Sequence, residues 1–441
     1  MDDLKDSDFS IDISDSTPNR AWSIGMGGSM LSSPLAGDGM IFFGCNDTFI
    51  YALNYDGEKE WSYKTGDMVW STPTAYNDYV LAGSGDGHVY AFSKSGDLMW
   101  KFSAGKKVWA TPCIAEGIVY IGSNDGILHA LSLEDGKEMW KFQAANREFF
   151  HSPCAFNDSL TFTNLGGFLY RISAEGKLIW KRYIGEYASQ NPLVIDRNND
   201  EICSRRKRSF DKIPKASGCR IFVSSWDAHL KCIDAEDSSL IWKLFVNKCG
   251  ASSPAIFEDS IFCGSYDGKV YSIDLKGRIK WKFQTGNKIV SSAFAHEGTV
   301  YIGSSDHNMY ALDCKNGELV WRFLADNEIL SSPCINNGIL YFGSWDCHFY
   351  ALSVKDRELL WKFRTSMGVP SYIKKPEMVK AGETPMKAPQ PSGTTTIKGY
   401  QLERSNYSLQ TGELTNTFYG LPAAYKGRKT AYEGVSGPYR R

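Results

Sequence analysis

Tryptophan recurs at Trp22, Trp61, Trp100, Trp140, Trp180, Trp242, Trp281, Trp321 and Trp361, at intervals of 39, 39, 40, 40, 62, 39, 40 and 40 residues. Nine marks bound eight units, and a fixed period of this length is the signature of a supersecondary unit copied in tandem. Within the third unit, Val108 to Ala115, Ile118 to Gly122, Ile127 to Ser132 and Glu138 to Gln143 are short runs rich in β-branched, aromatic and aliphatic residues. Glu116-Gly117, Asn124-Asp125-Gly126 and Asp135-Gly136 separate them, and such residues accept the positive φ of tight hairpins. No run carries a helical apolar period, so each unit reads as a four-stranded antiparallel meander.

One such sheet cannot bury both of its faces. Packing eight around an axis does so and leaves only short edges, which predicts an all-β, eight-bladed β-propeller of four-stranded antiparallel blades. A solenoid of the same units is the rival arrangement, but it would expose two apolar end faces, and neither end carries a polar capping repeat. Pro34, Pro73, Pro112, Pro153, Pro192, Pro254 and Pro333 fall early in the first strand of their units, with Ala293 the exception. Proline cannot donate to a ladder, which suits an innermost strand lining a channel. Asp47, Asp86, Asp125, Asp227, Asp267, Asp306 and Asp346 occupy the hairpin after the second strand, where a carboxylate accepts backbone N–H bonds and holds the turn. The ring could be completed by the segment around Trp22 or by that around Trp361, and the spacing does not choose.

The recurrent Gly-Ser-x-Asp-Gly, Tyr-Ala-Leu and Trp-Lys-Phe elements resemble the repeats of the pyrroloquinoline-quinone-type (PQQ-like) propeller family, over residues 22 to 365. That family includes bacterial quinoprotein alcohol dehydrogenases, the lipoprotein of the outer-membrane β-barrel assembly machinery, and propellers fused to adenylating enzymes. The resemblance implies a propeller whose recurrent Trp packs between adjacent sheets, and it says less about activity. For a dehydrogenase it implies a vicinal cysteine pair, an aromatic floor and calcium ligands beneath a catalytic Asp. No two cysteines are adjacent here, and the calcium ligands have no counterpart. The non-catalytic branch is therefore the expectation, with no cofactor, no metal and no catalytic residue assigned.

Composition removes further classes. Forty-nine Lys+Arg against fifty Asp+Glu leave a formal net charge of -1, so no global field recruits nucleic acid or an anionic membrane. The first sixteen residues are acidic, without a basic n-region or apolar core, and no run of eighteen apolar residues exists, so neither a secretory signal nor a membrane span is expected. Eleven scattered cysteines fit a reducing compartment, and the expected location is cytoplasmic, with a cytoskeletal association possible within that reading. Cys113, Cys154 and Cys334 follow the inner prolines and read as structural thiols. Cys203 and Cys219 flank an insertion and offer only a thin zinc motif.

Binding is expected at loops presented by the rigid ring. Trp70, Trp109 and Phe150 lie three residues before their inner prolines or the equivalent, and form either an aromatic crescent at the channel mouth or packing between blades. Trp226, Tyr266 and Trp345 precede the hairpin Asp and offer amphipathic contact area. The insertion 197–219 in blade 5 carries Arg205-Arg206-Lys207-Arg208 before Ser209, and reads as a projecting basic loop: solvated, an import signal, a nucleic-acid contact or a basophilic kinase site.

Three regions follow: an acidic segment 1–20, the propeller 21–365 and a tail 366–441. The tail has sixteen Gly or Pro and eleven Lys or Arg against five Glu. Such a composition cannot bury its own core, so an extended strap is expected. Tyr400, Tyr419, Tyr425, Arg428, Tyr432 and Tyr439 would contact an acidic partner surface. The leading reading is a non-catalytic scaffold that docks protein partners on a propeller face and is anchored in a large assembly by its tail. The alternatives are a small-ligand or quinone-dependent oxidoreductase using the channel mouth, and a nucleic-acid-associated scaffold using Arg205 to Arg208 and the tail.

Overall fold

The computed structural model of the chain describes residues 29–144, 152–156, 158–185, 219–247, 249 and 252–365, together with the backbone of 193–195, 202–203, 209–210 and 378–380. These lie in the first of two units into which the chain divides, Met1–Pro385; the second, Met386–Arg441, lies outside the described residues.

Eight antiparallel four-stranded blades follow one another in a propeller arrangement, each in simple meander order. Blade 1 comprises Leu35–Gly37, Met40–Gly44, Phe49–Asn54 and Lys59–Lys64. The later blades repeat it, with inner strands beginning at Thr74, Cys113, Cys154, Leu193, Ala255, Phe294 and Cys334. The prolines stand one residue before these strands rather than inside them, so the residue without an N–H never has to enter the ladder. In blade 3 the second to fourth strands are Ile118–Gly122, Ile127–Ser132 and Glu138–Gln143, as the sequence indicates, but the first is shortened to Cys113–Ala115.

The core is not one mass but eight apolar clusters, one between each pair of neighbouring blades. Leu81, Val89 and Ala91 of blade 2 meet Ile114, Val119 and Ile121 of blade 3 in one of them. The cluster that matters for closure joins Phe43, Tyr51 and Leu53 of blade 1 to Tyr341, Phe349 and Ala351 of blade 8. Phe43 and Phe349 stack there with centroids 4.4 Å apart. Trp361 belongs to the outer strand of blade 8, Leu359–Arg364, so that blade is complete from its own segment. The ring therefore closes by face packing, and Trp22 lies outside the described residues.

Seven of the blade tryptophans latch their blade to the next, while Trp321 packs in the cluster between blades 7 and 8. The indole N–H of Trp61 donates to the Lys94 carbonyl at 2.8 Å, Trp100 to Leu133 at 2.8 Å, Trp140 to Ala174 at 3.0 Å and Trp180 to Ala235 at 2.9 Å. Trp242 reaches Leu275 at 3.1 Å and Trp281 reaches Cys314 at 3.0 Å. Trp361 then reaches Tyr55 of blade 1 at 2.8 Å, repeating the same bond across the closing interface. For six of these seven the ring lies on a glycine of the hairpin before the neighbour's outer strand. At Gly57, with φ +84, an added Cβ would stand 2.6 Å from the Trp361 ring.

A second circle runs through the residues before the prolines. The Ser33 N–H donates to Thr72 Oγ1, Thr72 to Thr111 Oγ1 and Thr111 to Ser152 Oγ, at 3.3, 3.3 and 2.8 Å. On the far side Ser253 donates to Ser292 Oγ, Ser292 to Ser332 Oγ and Ser332 to Ser33 Oγ, at 3.0, 2.9 and 3.2 Å. At six of the blades the residue entering the inner strand thus spends its backbone donor on its neighbour's hydroxyl.

Three short segments add to the blades. Ser209–Phe210 pairs in parallel with the inner strand of blade 3, and Ile202–Cys203 pairs with the inner strand of blade 5. Both pairings are made at inner edges of the ring, and the rest of the insertion, Arg205 to Arg208 included, lies outside the described residues. Met378–Lys380 pairs antiparallel with the outer strand of blade 7.

Gly57→Ala is expected to destabilise the protein by about 3 kcal/mol, from an overpacked indole contact plus an L residue at positive φ. Gly39→Ala, also at positive φ (+81) but with nothing within 4 Å, isolates the backbone part and is expected to cost about 1 kcal/mol. Equal losses in urea titration would mean that the blade 1–blade 8 latch is not formed.

Candidate functional site

In a four-stranded meander, the hairpin between second and third strands and the connection to the next blade fall at the same end. All of Trp70, Trp109, Trp226, Tyr266 and Trp345 lie on such segments, so one face of the ring carries them. The two kinds of segment are bonded together: Thr65 Oγ1 donates to the Thr48 carbonyl at 2.8 Å, and Gly66 N–H donates to Asp86 Oδ2 at 2.7 Å.

The hairpin aspartates build this face. One carboxylate oxygen accepts the N–H two residues on: 3.1 Å from Phe49 to Asp47, 3.0 Å from His88 to Asp86, 3.0 Å from Asn308 to Asp306 and 2.9 Å from His348 to Asp346. The other accepts the hydroxyl of a tyrosine four residues on, as in Tyr51–Asp47 and Tyr90–Asp86, both 2.6 Å, and Tyr310–Asp306, 2.7 Å. Burial works to raise the Asp86 carboxyl, but bonds from Tyr90, Gly66 and His88 outweigh it and hold the group below its ordinary value. At Asp47 burial wins and the carboxyl is raised. These groups are committed to the turns, the role their recurrence indicates.

Blade 5 departs from the pattern. Lys231 stands where blade 3 has His129 and the other six blades have tyrosine, and its ammonium is 2.6 Å from the Ile184 carbonyl, 2.7 Å from Ser225 Oγ and 2.5 Å from Asp227 Oδ2. Burial pulls the Lys231 ammonium below its usual range while Asp227 opposes that pull. A buried cation with three oxygen partners is a satisfied structural ion.

The aromatic residues form two pairs. Trp70 and Trp109 stack at 4.3 Å; Trp70 donates its N–H to Asn46 Oδ1 at 2.6 Å, and the Lys107 ammonium lies 5.1 Å above the Trp109 ring. Trp109 is buried, so this pair contributes packing between loops as well as surface. Trp226 and Tyr266 meet at 4.9 Å with Lys288 5.9 Å from the Tyr266 ring, and Trp226 is 41% exposed. Burial, then the Glu328 carboxylate, pushes the Tyr266 hydroxyl up to about 12. Trp345 is half-buried on blade 8. Phe150, Arg205 to Arg208, Tyr400, Tyr419, Tyr425, Arg428, Tyr432 and Tyr439 lie outside the described residues.

Cys45, Cys232, Cys249, Cys263 and Cys314 are buried. Burial pushes the thiols of Cys232, Cys249 and Cys314 up to about 12, and those of Cys45 and Cys263 well above their ordinary range. His129 is buried against Glu138 Oε1 at 2.6 Å. Among the described residues, no group of three or more His, Cys, Asp or Glu is placed to hold a metal ion, and no helix is long and apolar enough to cross a membrane. Sequence reasoning missed the circle of hydroxyls, although the Ser or Thr before most inner prolines was the available signal.

The sequence matches the family described as outer membrane protein assembly factor BamB over residues 65–192, 166–293 and 286–397. The chain belongs to this family. Among solved structures it is similar to BamB from Moraxella catarrhalis, at 15% identity and a TM-score of 0.58, covering 71% of this chain and 91% of that one. It is also similar to the computationally designed Ika8 protein, at 13% identity and a TM-score of 0.56, covering 73% of this chain and 96% of that one. Likeness at these identities speaks for the fold alone. No curated protein matches the sequence.

The raised thiols carry a sign. Their folded pKa of about 12 exceeds the ordinary 9.0, so their contribution is complete below about pH 9 and is lost as pH rises toward 12. The urea midpoint under reducing conditions is expected to fall between about pH 8.5 and 11, and less steeply for Cys232→Ala. A flat profile would place these thiols in water.

Proposed function

We propose that the ring is a protein-interaction scaffold whose partners dock on the face built from the hairpin aspartates and the inter-blade loops. The observation that carries this reading is the Trp226–Tyr266 pair. It stands on that face with the Trp226 ring exposed, and neither residue belongs to any of the eight core clusters. Exposed aromatics on rigid turns give large contact area at small entropic cost, and such residues dominate interface energetics. Membership of a family described as an assembly factor supports a role in handling other proteins. Trp70 and Trp109 extend the face across blades 1 to 3, and Trp345 adds blade 8. In this reading the tail, with Tyr400, Tyr419, Tyr425, Arg428, Tyr432 and Tyr439, holds the ring in a larger cytoplasmic assembly, such as a cytoskeletal one, against an acidic partner surface. An oxidoreductase or a nucleic-acid scaffold is not proposed, since no observation favours either.

Cross-linking of the native assembly tests the choice of face. Links to partners are expected at Lys106, Lys107 and Lys288, and not at Lys137, Lys177, Lys276, Lys315 and Lys355 on the opposite hairpins. Trp226→Ala with Tyr266→Ala is expected to weaken partner binding about tenfold or more at an unchanged melting temperature. Links confined to the opposite hairpins, or undiminished binding by the double variant, would refute the docking face. Retention of a chain truncated after Thr365 in the assembly would refute the anchor.

A further inference from the structure

Each blade has one open edge, its outer strand, and an unpaired edge is a template for another chain. Blade 7's edge is covered by this chain itself, with Trp321 opposite Lys380, Arg322 opposite Val379 and Phe323 opposite Met378. Among the described residues, no strand pairs with the other seven outer strands.

Most of those edges are protected by their last residue. The outer strands of blades 1, 2, 3, 6 and 8 end in Lys64, Ser103, Gln143, Gln284 and Arg364. Three end in an apolar or aromatic residue: blade 4 in Tyr183, blade 5 in Phe245 and blade 7 in Leu324. The one with an aliphatic end, blade 7, is the one this chain covers. Blade 5 is the most apolar of the rest: Leu240, Ile241 and Phe245 are 39%, 44% and 62% exposed. Its single charge, Lys243, is exposed. It stands beside Lys231 of the third strand, whose own charge is answered by Asp227. Among the described residues, no carboxylate answers Lys243.

We propose that the outer edge of blade 5, Leu240–Phe245, accepts an extended segment of a partner protein as a fifth antiparallel strand, with apolar residues against Ile241 and Phe245 and a carboxylate at Lys243. Blade 7 shows that an outer strand of this ring takes such an addition, and antiparallel pairing is the geometry it uses there. The carboxylate follows from the lone ammonium on an otherwise apolar strand. This rim is separate from the loop face, so the two surfaces can be engaged together and fail independently.

The test uses the full chain and a fluorescent synthetic peptide, Thr-Val-Thr-Glu-Thr-Val-Thr, whose two valines share a face with the glutamate as Ile241 and Phe245 do with Lys243. Saturable binding is expected, with amide-exchange protection gained at residues 240–245. Ile241→Lys with Phe245→Lys should weaken it about tenfold or more while the melting temperature holds, because both side chains are exposed. A peptide with Gln in place of Glu should bind more weakly, and Lys243→Ala should remove that difference. Equal binding by the double variant, or protection gained elsewhere, would overturn the proposal. So would a wild-type dimer in sedimentation that the double variant renders monomeric, since the edge would then serve a second copy.

Discussion

A tryptophan that packs on, and donates to, the hairpin of the next blade is the contact on which the architecture depends. A single sheet of this size cannot cover its faces, and these indoles supply apolar area and, at seven of the eight junctions, one directed bond where two sheets meet. The bond is worth about 1 kcal/mol, less than the ring's burial, but it fixes the angle at which blades meet. Because Trp361 treats the Tyr55 carbonyl as Trp140 treats Ala174, the last interface has the same geometry as the others, and the ring needs no strand exchanged between its ends.

That arrangement decides where function can reside. Polar groups near the channel and in the turns are used inside the fold: serine and threonine hydroxyls receive the neighbouring inner strand, and hairpin carboxylates hold their own turn and its tyrosine. What stays available is surface on rigid loops and rims, and recognition by aromatic area suits such a surface better than chemistry by titrating groups. Blade 5 concentrates the departures, with Lys231 in place of tyrosine, the exposed Trp226, the added strand Ile202–Cys203 and the apolar outer strand.

Much of this was legible in the sequence, for physical reasons. Tryptophan spacing marks an interface that every unit must repeat, so it gives the number of blades. Turn residues such as Asp135-Gly136 delimit strands because few residues tolerate positive φ. The role of the aspartates followed from recurrence. Closure was not legible, because Trp22 and Trp361 look alike until the partner of each indole is known. Nor was the strand Met378–Lys380, three residues in a Gly- and Pro-rich context whose pairing partner is more than fifty residues earlier. The pairing of Ser209–Phe210 was not legible either, because its partner strand, Cys113–Ala115 of blade 3, is distant in sequence. At the candidate site, the sequence named the aromatic residues but could not pair them: Trp70 with Trp109, and Trp226 with Tyr266, join neighbouring segments whose approach is a tertiary fact.

Scanning calorimetry of the full chain puts the closed ring to its most direct test. A circle of equivalent interfaces has no free end from which to fray, so the ring should melt in one transition whose calorimetric and van't Hoff enthalpies agree. A series of overlapping transitions, with a calorimetric enthalpy several times the van't Hoff value, would belong to an open stack of blades and would contradict the account.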